Sequence, residues 1–158
     1  MKAINILAVT VFIFIFGCYE GIKPVPDAYT LNGRITFVDS NFTEQNGQYI
    51  LYAWRESIWF PLAGNPTSEQ VIDIRKVNNK YVLSYDYRLA EVSSGTYVVS
   101  VQYVDSNVRK VMGIYGCNIP IDTACFQTPT KYATIVTTEG LLNIDISSHA
   151  DTSQSAPQ

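Results

Sequence analysis

The residues that could act as acids, bases or nucleophiles are scattered along this chain of 158 residues. His149 is the sole histidine and lies near the C-terminus, where a general base has no evident partner to orient it. The acidic candidates lack the dense spacing of a calcium loop: Asp27, Asp39, Glu44, Asp73, Asp105, Asp122 and Asp145. Two of them could still converge on a glycosidic bond. The pattern predicts neither a metal site nor an assembled catalytic set.

Aromatic side chains form a second group of candidates, because their faces stack on sugar rings or anchor a protein partner. The densest aromatic region contains Tyr49, Tyr52, Trp54, Trp59 and Phe60. Tyr52 and Trp54 share a face in a strand, so both are predicted to be core residues. Trp59 lies beside Pro61 near a polar loop, and we predict that it is an exposed ligand contact.

The first residues of the chain could direct export. Lys2 gives a positive start, and Ile4 to Phe16 is an apolar stretch that is typical of a secretory leader. The stretch is too short to span a membrane comfortably, since a membrane helix needs roughly 20 apolar residues. An uncleaved anchor helix, or an ordinary leader followed by an incidental cysteine, is the alternative interpretation.

The segment Ile15-Phe16-Gly17-Cys18 resembles the lipobox of bacterial lipoproteins, with an aliphatic residue three positions before the cysteine and a small residue directly before it. The resemblance implies that residues 1–17 are a lipoprotein signal peptide and that Cys18 carries diacylglycerol and a further acyl chain such as palmitate. Two acyl chains hold a protein stably on a membrane, because each buried methylene contributes about 0.8 kcal/mol. Residues 18–29 would be a tether. Tyr19, where an aspartate retains some lipoproteins at the inner membrane, favours the outer membrane of the cell envelope.

Cys117 and Cys125 are the thiols that remain when Cys18 is lipidated. An even pair at short spacing in an exported protein is usually a disulfide, so we predict a bridge between them. A redox or metal site is the alternative, but the pair lacks Cys-x-x-Cys spacing and has no neighbouring histidine.

The composition argues against two classes of protein. Lys and Arg number 11 against 14 Asp and Glu, and the basic residues form no cluster larger than the isolated pairs Arg75-Lys76 and Arg109-Lys110. Nucleic-acid binding needs several basic groups on one surface, so nucleic acid is not an expected partner. A hydrophobic content of 47% with 16% charged residues is too apolar for a disordered chain, and 13% aromatic residues favour strands.

Short stretches with alternating polar and apolar residues predict an all-β domain over residues 30–147. The predicted strands are Leu31 to Phe37, Tyr49 to Trp54 with a continuation through Ile58 to Phe60, Val71 to Ile74, Tyr81 to Tyr87, Gly95 to Tyr103, Val108 to Tyr115, Ala133 to Thr138 and Leu141 to Ser147. Seven or eight strands without a long helical period indicate an antiparallel sandwich.

The spacing also predicts several details. In the strand that begins at Gly95, the odd-numbered residues from Tyr97 onward enter the core and the even-numbered residues face away. Asn78-Asn79 is a turn, Glu139-Gly140 is a tight hairpin between the last two strands, and Ser68 to Val71 is a helix candidate. Residues 148–158 are polar and are expected to form a disordered tail in which His149 is solvated.

Three of these stretches look like transthyretin-like or carboxypeptidase-regulatory-like β-sandwiches. They are the opening Gly33-Arg-Ile-Thr-Phe, the strand Gly95-Thr-Tyr-Val-Val-Ser-Val and the closing Leu142-Asn-Ile-Asp-Ile. The sequence is also similar to uncharacterised bacterial lipoproteins built on that plan. The resemblance implies an Ig-like or transthyretin-like sandwich of seven or eight strands, and it concerns fold rather than function.

Together these patterns favour a membrane-anchored lipoprotein whose domain is a non-enzymatic binding or scaffold module with no cofactor. Its partners would be the membrane, through lipid on Cys18, and a protein or glycan. One alternative is a carbohydrate-binding surface lipoprotein that uses Trp59. The other is a carboxylate-dependent hydrolase.

Overall fold

The fold is taken from a computed structural model that describes residues 25–43, 47–60, 62, 64–106, 108–136 and 138–157. The predicted leader, the lipid attachment at Cys18 and the first part of the tether lie outside the described residues. Glu44, one of the acidic candidates, also lies outside them.

Strands dominate the described part of the chain, which confirms the predicted all-β class. The strands are β1 (Leu31–Phe37), β2 (Gln48–Arg55), β3 (Ser68–Val71), β4 (Lys76–Val77), β5 (Lys80–Tyr81), β6 (Ser84–Leu89), β7 (Gly95–Val104), β8 (Arg109–Ile114), β9 (Ala133–Ile135) and β10 (Ile146–Ser148). The helical turns are α1 (Glu56–Trp59), α2 (Thr123–Gln127) and a 3-10 turn at Thr152–Gln154.

Two sheets pack face to face. The smaller sheet has the order β10-β1-β6, and the larger has the order β3-β2-β7-β8, with β9 pairing beside the first residues of β7. Pairs are antiparallel except that β1 and β10 run parallel, with Ile35 opposite Ile146. The separate β4-β5 hairpin turns at Asn78 and Asn79, whose φ angles of 51° and 60° match the left-handed turn that connects such hairpins.

The larger sheet is buried on both faces. Its inner face packs on the smaller sheet, and the odd-numbered residues Tyr97, Val99 and Val101 lie in that core as predicted. The even-numbered residues face away from that core, as predicted, but Val98 and Gln102 are buried on the outer face. Residues of α1, α2 and the C-terminus cover this outer face, and the sequence alternation could not reveal that cover.

Three local predictions are wrong. The residues after Arg55 turn into α1 instead of continuing the strand, and the helix candidate Ser68–Val71 is strand β3. Glu139-Gly140 is not a hairpin between paired strands, because β9 pairs with β7 whereas β10 pairs with β1 in the other sheet. The closing segment already bridges to β1 at Leu141, and Asn143, with a φ angle of 61°, interrupts the strand before β10.

The predicted disordered tail is wrong for the residues that we call the C-terminal segment, residues 149–156. Ala150 and Ala156 are buried, and the backbone N–H groups of His149 and Ala156 donate to the carbonyl oxygens of Met112 and Val111 at 3.0 and 2.8 Å. The segment therefore satisfies carbonyls on the outer edge of β8, which would otherwise be unpaired. Composition predicted disorder because it carries no information about that edge.

The strand directions define two ends of the sandwich. The chain enters at one end, where the Tyr29 backbone N–H donates to the Thr138 carbonyl at 3.1 Å and Asp27 pairs with Arg88 at 2.9 Å. We call this the entry end, and the last predicted tether residues are already fixed there. The opposite end, which we call the far end, contains Phe37 at the end of β1. Six residue steps along β1 separate the two ends by roughly 20 Å.

Candidate functional site

A cavity of about 670 Å³ opens at the far end, and we call it the far-end cavity. The described residues that line it are Phe42, Thr43, Gly47, Gln48, Tyr49, Val71, Ile72, Asp73, Ile74, Lys76 and Tyr81. They come from the loop after β1, the start of β2, the segment after β3 and the β4-β5 hairpin. Antiparallel pairing brings these segments together, because the end of one strand lies beside the start of the next.

Aromatic rings form the deep wall of the far-end cavity. The Phe42 ring centroid lies 5.4 Å from that of Tyr49 in an edge arrangement and 4.6 Å from that of Tyr81 in a tilted one. Phe37 packs edge-on against Phe42 at 4.8 Å beneath them. The rings thus pack against one another and form one continuous aromatic wall.

The rim of the far-end cavity carries both signs of charge. Asp73 and Lys76 are exposed, and the Lys76 Nζ atom lies 4.4 Å from the Tyr81 ring centroid in a cation–π contact. Gln48 adds an exposed amide at the start of β2. A ligand here would meet an apolar wall and a few separated polar groups, which is the usual composition of a small-molecule or peptide pocket.

The loop that supplies Phe42 and Thr43 is fixed to the C-terminal segment. Tyr49 Oη accepts a hydrogen bond from the Thr43 backbone N–H at 3.1 Å and donates one to the Ala150 carbonyl. The Thr43 and Thr152 hydroxyl oxygens lie 3.0 Å apart. Burial raises the pKa of Tyr49 above its ordinary value, so the hydroxyl keeps its proton and its donor role.

A second cavity of about 220 Å³ lies beside the first and shares Val71, Ile72 and Asp73 with it. It lies between β3, the edge strand of the larger sheet, and β6, the edge strand of the smaller sheet. Among the described residues, no strand pairs with both of these edges. Its remaining lining residues are Ile35, Leu51, Gln70, Arg75, Tyr85, Asp86 and Tyr87. We call this side of the sandwich the open side. The side where the C-terminal segment covers β8 is the closed side.

Trp59 is not the exposed ligand contact that the sequence predicted. Its side chain is only 2% exposed, and its indole N–H donates to the Phe126 carbonyl at 2.7 Å. The ring also packs edge-on against Trp54 at 6.4 Å. The turn of α1 directs Trp59 onto the outer face of the larger sheet, where it covers Trp54. Tyr52 and Trp54 are core residues, as predicted.

Several acidic candidates have structural partners, including Asp122 and Asp145, which both line a third cavity of about 380 Å³ beside the disulfide. Asp122 caps α2 by accepting from the Cys125 backbone N–H at 2.7 Å, and Asp145 accepts from the Arg34 backbone N–H at 2.8 Å. Asp73 is the one carboxylate among the described residues that line the far-end cavity. No group of three or more potential metal ligands occurs in the described part of the chain.

His149 is not a solvated residue, because its Nδ1 atom lies 2.9 Å from Oδ2 of Asp39 and its side chain is 14% exposed. A carboxylate that orients a histidine resembles two members of a hydrolytic triad. The other ring nitrogen, Nε2, is buried and has no partner among the described residues. A substrate in solution could not reach it in this arrangement, so the pair fixes the C-terminal segment.

The predicted disulfide between Cys117 and Cys125 is present. It joins the residues after β8 to α2, and the Cys117 side chain belongs to the apolar cluster on the outer face of the larger sheet. The bridge therefore fixes the cover of this face.

The sequence interpretation did not single out Phe42, Tyr81 or Lys76 as site residues. Only weak features of the sequence could have identified them as site residues: Phe42 is a lone aromatic residue within a polar loop, and Tyr81 follows a turn. Only the pairing of distant strands brings Phe42 and Tyr81 together.

The sequence matches no protein-family model, and no curated protein or solved structure is similar to the chain. The longest helix among the described residues has five residues, so none there approaches the roughly 20 apolar residues of a membrane span.

Proposed function

We propose that this protein is a lipid-anchored binding module of the bacterial cell envelope, held on the outer membrane through Cys18, and that it binds its ligand in the far-end cavity. The observation that carries the binding role is the cavity itself. Its volume of about 670 Å³ lies within the range of ligand pockets, and it combines an apolar wall with the charged groups of Asp73 and Lys76.

The location of the cavity supports display on a membrane. Eleven residue steps separate Cys18 from Tyr29, and an extended chain of that length reaches up to roughly 40 Å. Backbone hydrogen bonds fix Tyr29 at the entry end. A lipid on Cys18 would thus hold the entry end toward the membrane and leave the far-end cavity open to the surrounding space.

The alternatives have less support. Carbohydrate binding was based on an exposed Trp59, and that residue is buried; in addition, the rings of the far-end cavity pack against one another. A two-carboxylate hydrolase needs a second acid beside Asp73, and the described lining of the cavity supplies none. We therefore favour binding without catalysis.

We also propose that the sandwich is of the Ig-like or transthyretin-like type. The Gly33 and Gly95 motifs fall in β1 and β7, and the closing motif leads into β10. The parallel pairing of β1 with β10 supports a sandwich in which the first and last strands are neighbours. An experimental structure in which β10 instead paired with β9 would contradict this assignment.

The anchor is tested by the intact mass of the full chain extracted from bacterial membranes. We expect a mass that corresponds to a start at Cys18 plus diacylglycerol and an acyl chain, and Cys18→Ala should be released or misprocessed. A soluble product without added lipid would refute the anchor but would leave the binding role open.

The cavity is tested by amide chemical shifts of the folded domain during titration with a library of aliphatic and aromatic fragments. We expect the largest shifts at Phe42, Ile72 and Tyr81. Gln48→Trp places a large ring at the rim and should abolish them, whereas Thr134→Trp, on an exposed position of β9, should not. Shifts that cluster elsewhere, or that survive Gln48→Trp, would refute this site.

A further inference from the structure

The free edge of β3 leads directly into the far-end cavity. β3 pairs with β2 on one side only, with Ile50 opposite Val71 and Tyr52 opposite Glu69. The Ile72 backbone N–H donates to the Tyr49 carbonyl at 2.8 Å, so residue 72 directs its backbone groups toward β2. Because these directions alternate along a strand, the backbone groups of Glu69 and Val71 point away from β2.

These outward backbone groups are unpaired within the described residues. No hydrogen bond from another segment reaches the backbone of Glu69 or Val71 on the outer side of β3. The Val71 side chain is 52% exposed, and Glu69 and Gln70 are also exposed. An unpaired strand edge of this kind is a template for an additional strand.

The opposite edge of the larger sheet, formed by β8, is covered. On the closed side, the C-terminal segment donates backbone hydrogen bonds to Met112 and Val111, so the edge of β8 is capped. Gly113 allows this side to close tightly, since a Cβ atom there would lie 2.5 Å from the Ser147 carbonyl oxygen. The open side has no such cap among the described residues, although β3 lies between two cavities.

We propose that the ligand of the far-end cavity is an extended peptide that adds as a strand to the outer edge of β3. This inference rests on the proposed binding role of the cavity. The peptide backbone would pair with Glu69 and Val71, and alternate side chains would enter the far-end cavity and the neighbouring cavity that shares Val71 to Asp73.

The chemistry of the cavity walls matches such a ligand better than a sugar. Strand addition gives affinity through backbone bonds and specificity through pockets for every second side chain. The rings of Phe42 and Tyr81, together with the aliphatic side chain of Ile72, suit an apolar side chain. The opposite charges of Asp73 and Lys76 at the rim suit the mixed polar groups of a polypeptide.

The test uses a phage-displayed library of random twelve-residue peptides, selected against the folded domain and then synthesised. We expect enriched sequences with apolar residues at every second position. Val71→Pro removes the outward N–H without removing a bond to β2, so the sheet should remain folded, but peptide affinity should fall at least about tenfold. The control Val71→Thr keeps both the N–H and the β-branched shape and should bind within about twofold of wild type.

A second readout is amide hydrogen exchange, which should slow at Glu69 and Val71 when the peptide binds. If Val71→Pro does not fold, Glu69→Pro removes the neighbouring outward N–H and replaces it in the test. Equal peptide affinity of the proline variant and wild type would refute strand addition. If Gln48→Trp nevertheless abolished peptide binding, the far-end cavity would still be the binding site.

Two further outcomes would also refute the peptide proposal. One is the absence of any sequence enriched on wild type over Val71→Pro. The other is self-association of the wild-type domain that Val71→Pro abolishes, measured by sedimentation, which would make a second copy of this chain the occupant of the edge.

Discussion

The carboxylate of Asp39 lies 2.9 Å from Nδ1 of His149, and the two residues are 110 positions apart in the sequence. The same carboxylate accepts backbone N–H groups from Ala150 at 3.2 Å and Asp151 at 3.0 Å. Asp39 begins the loop that supplies Phe42 to the far-end cavity. One side chain therefore joins a wall of the candidate site to the C-terminal segment.

Replacing Asp39 should destabilise the domain. Asp39→Ala leaves three donors of the C-terminal segment without their acceptor, and hydrogen bonds to a charged group each contribute about 1.5 to 3 kcal/mol. We expect the free energy of unfolding to fall by about 3 kcal/mol in urea titrations, which is less than the sum of three such bonds because the Asp39 side chain is 24% exposed and water partly replaces them. Asp73→Ala is the matched control, because Asp73 is exposed and should change stability by less than about 0.5 kcal/mol. Equal midpoints for Asp39→Ala and wild type would contradict this role.

Removing residues 149–158 should lower the free energy of unfolding of the domain and increase the mobility of the loop after β1, which supplies Phe42 and Thr43. The truncation deletes the backbone donors to Val111 and Met112, the acceptor of Tyr49 Oη, and the Thr152 carbonyl that accepts from Lys110 Nζ at 2.9 Å. At about 1 kcal/mol net for each bond, these four bonds contribute about 4 kcal/mol, and we expect a larger total loss because the contacts to Asp39 are removed as well. Denaturant titrations followed by tryptophan fluorescence measure this loss of free energy of unfolding.

The control for this truncation removes only Pro157 and Gln158, which leaves every one of these bonds in place. That variant should be as stable as the full chain. If the longer truncation also had wild-type stability, the C-terminal segment would be the disordered tail that its composition suggests.

The domain should lose stability in alkaline solution. Burial raises the pKa of Tyr49 and Tyr87 above the ordinary value of 10.0, and Tyr87 Oη donates to the Ile144 carbonyl at 2.6 Å. Because the folded state holds these protons more tightly than the unfolded state, their contribution is complete below about pH 10 and is lost as the pH rises toward the folded-state values. Urea midpoints should therefore fall above about pH 10.

Tyrosinate absorbance provides the check on this pH dependence. The signals of Tyr49 and Tyr87 should appear at higher pH in the folded domain than in the unfolded chain. Tyr87→Phe should show a shallower decline of stability at high pH. Complete titration of all tyrosines in a folded domain would disprove the burial argument.

Loss of the disulfide should lower the free energy of unfolding without unfolding the sheets. Closing a loop of about nine residues between Cys117 and Cys125 contributes about 2.5 kcal/mol in the chain-entropy model. We expect the Cys117→Ser, Cys125→Ser double variant to lose about that amount and to keep its far-ultraviolet circular dichroism. Reduced wild-type protein should match it. A loss near zero would indicate that α2 holds its position over the outer face without the bridge.

Alternation in the sequence predicted the main strands well. It placed β1, β2, β7 and β8 within a residue or two of their observed bounds, because each is a short stretch rich in β-branched or aromatic residues and bounded by polar or turn residues. It failed where burial depends on distant segments. Trp59 turns inward because its N–H finds the Phe126 carbonyl 67 positions away, and no local pattern encodes that contact.

The candidate site was less predictable than the fold. Its aromatic wall joins Phe42, from a polar loop, with Tyr81, from the start of a predicted strand, and no local pattern brings the two together. The partners of Asp39 could not be anticipated, since a polar C-terminal stretch has the composition of a disordered tail. Local sequence reveals which residues suit a strand, but a cavity depends on the register of strands that are far apart in the chain.

The parallel pairing of β1 with β10 has a consequence for biosynthesis. The first strand obtains one of its two neighbours only when Ile146 to Ser148 have been made, so contacts of very long sequence separation must close the smaller sheet. Chains rich in such contacts fold slowly, since loop-closure entropy must be overcome before the contacts form. A ribosome that stops early would release a polypeptide with β1 exposed on one side, a species that proteases can recognise. Synthesis through Ser148 therefore separates chains that can complete the smaller sheet from chains that cannot.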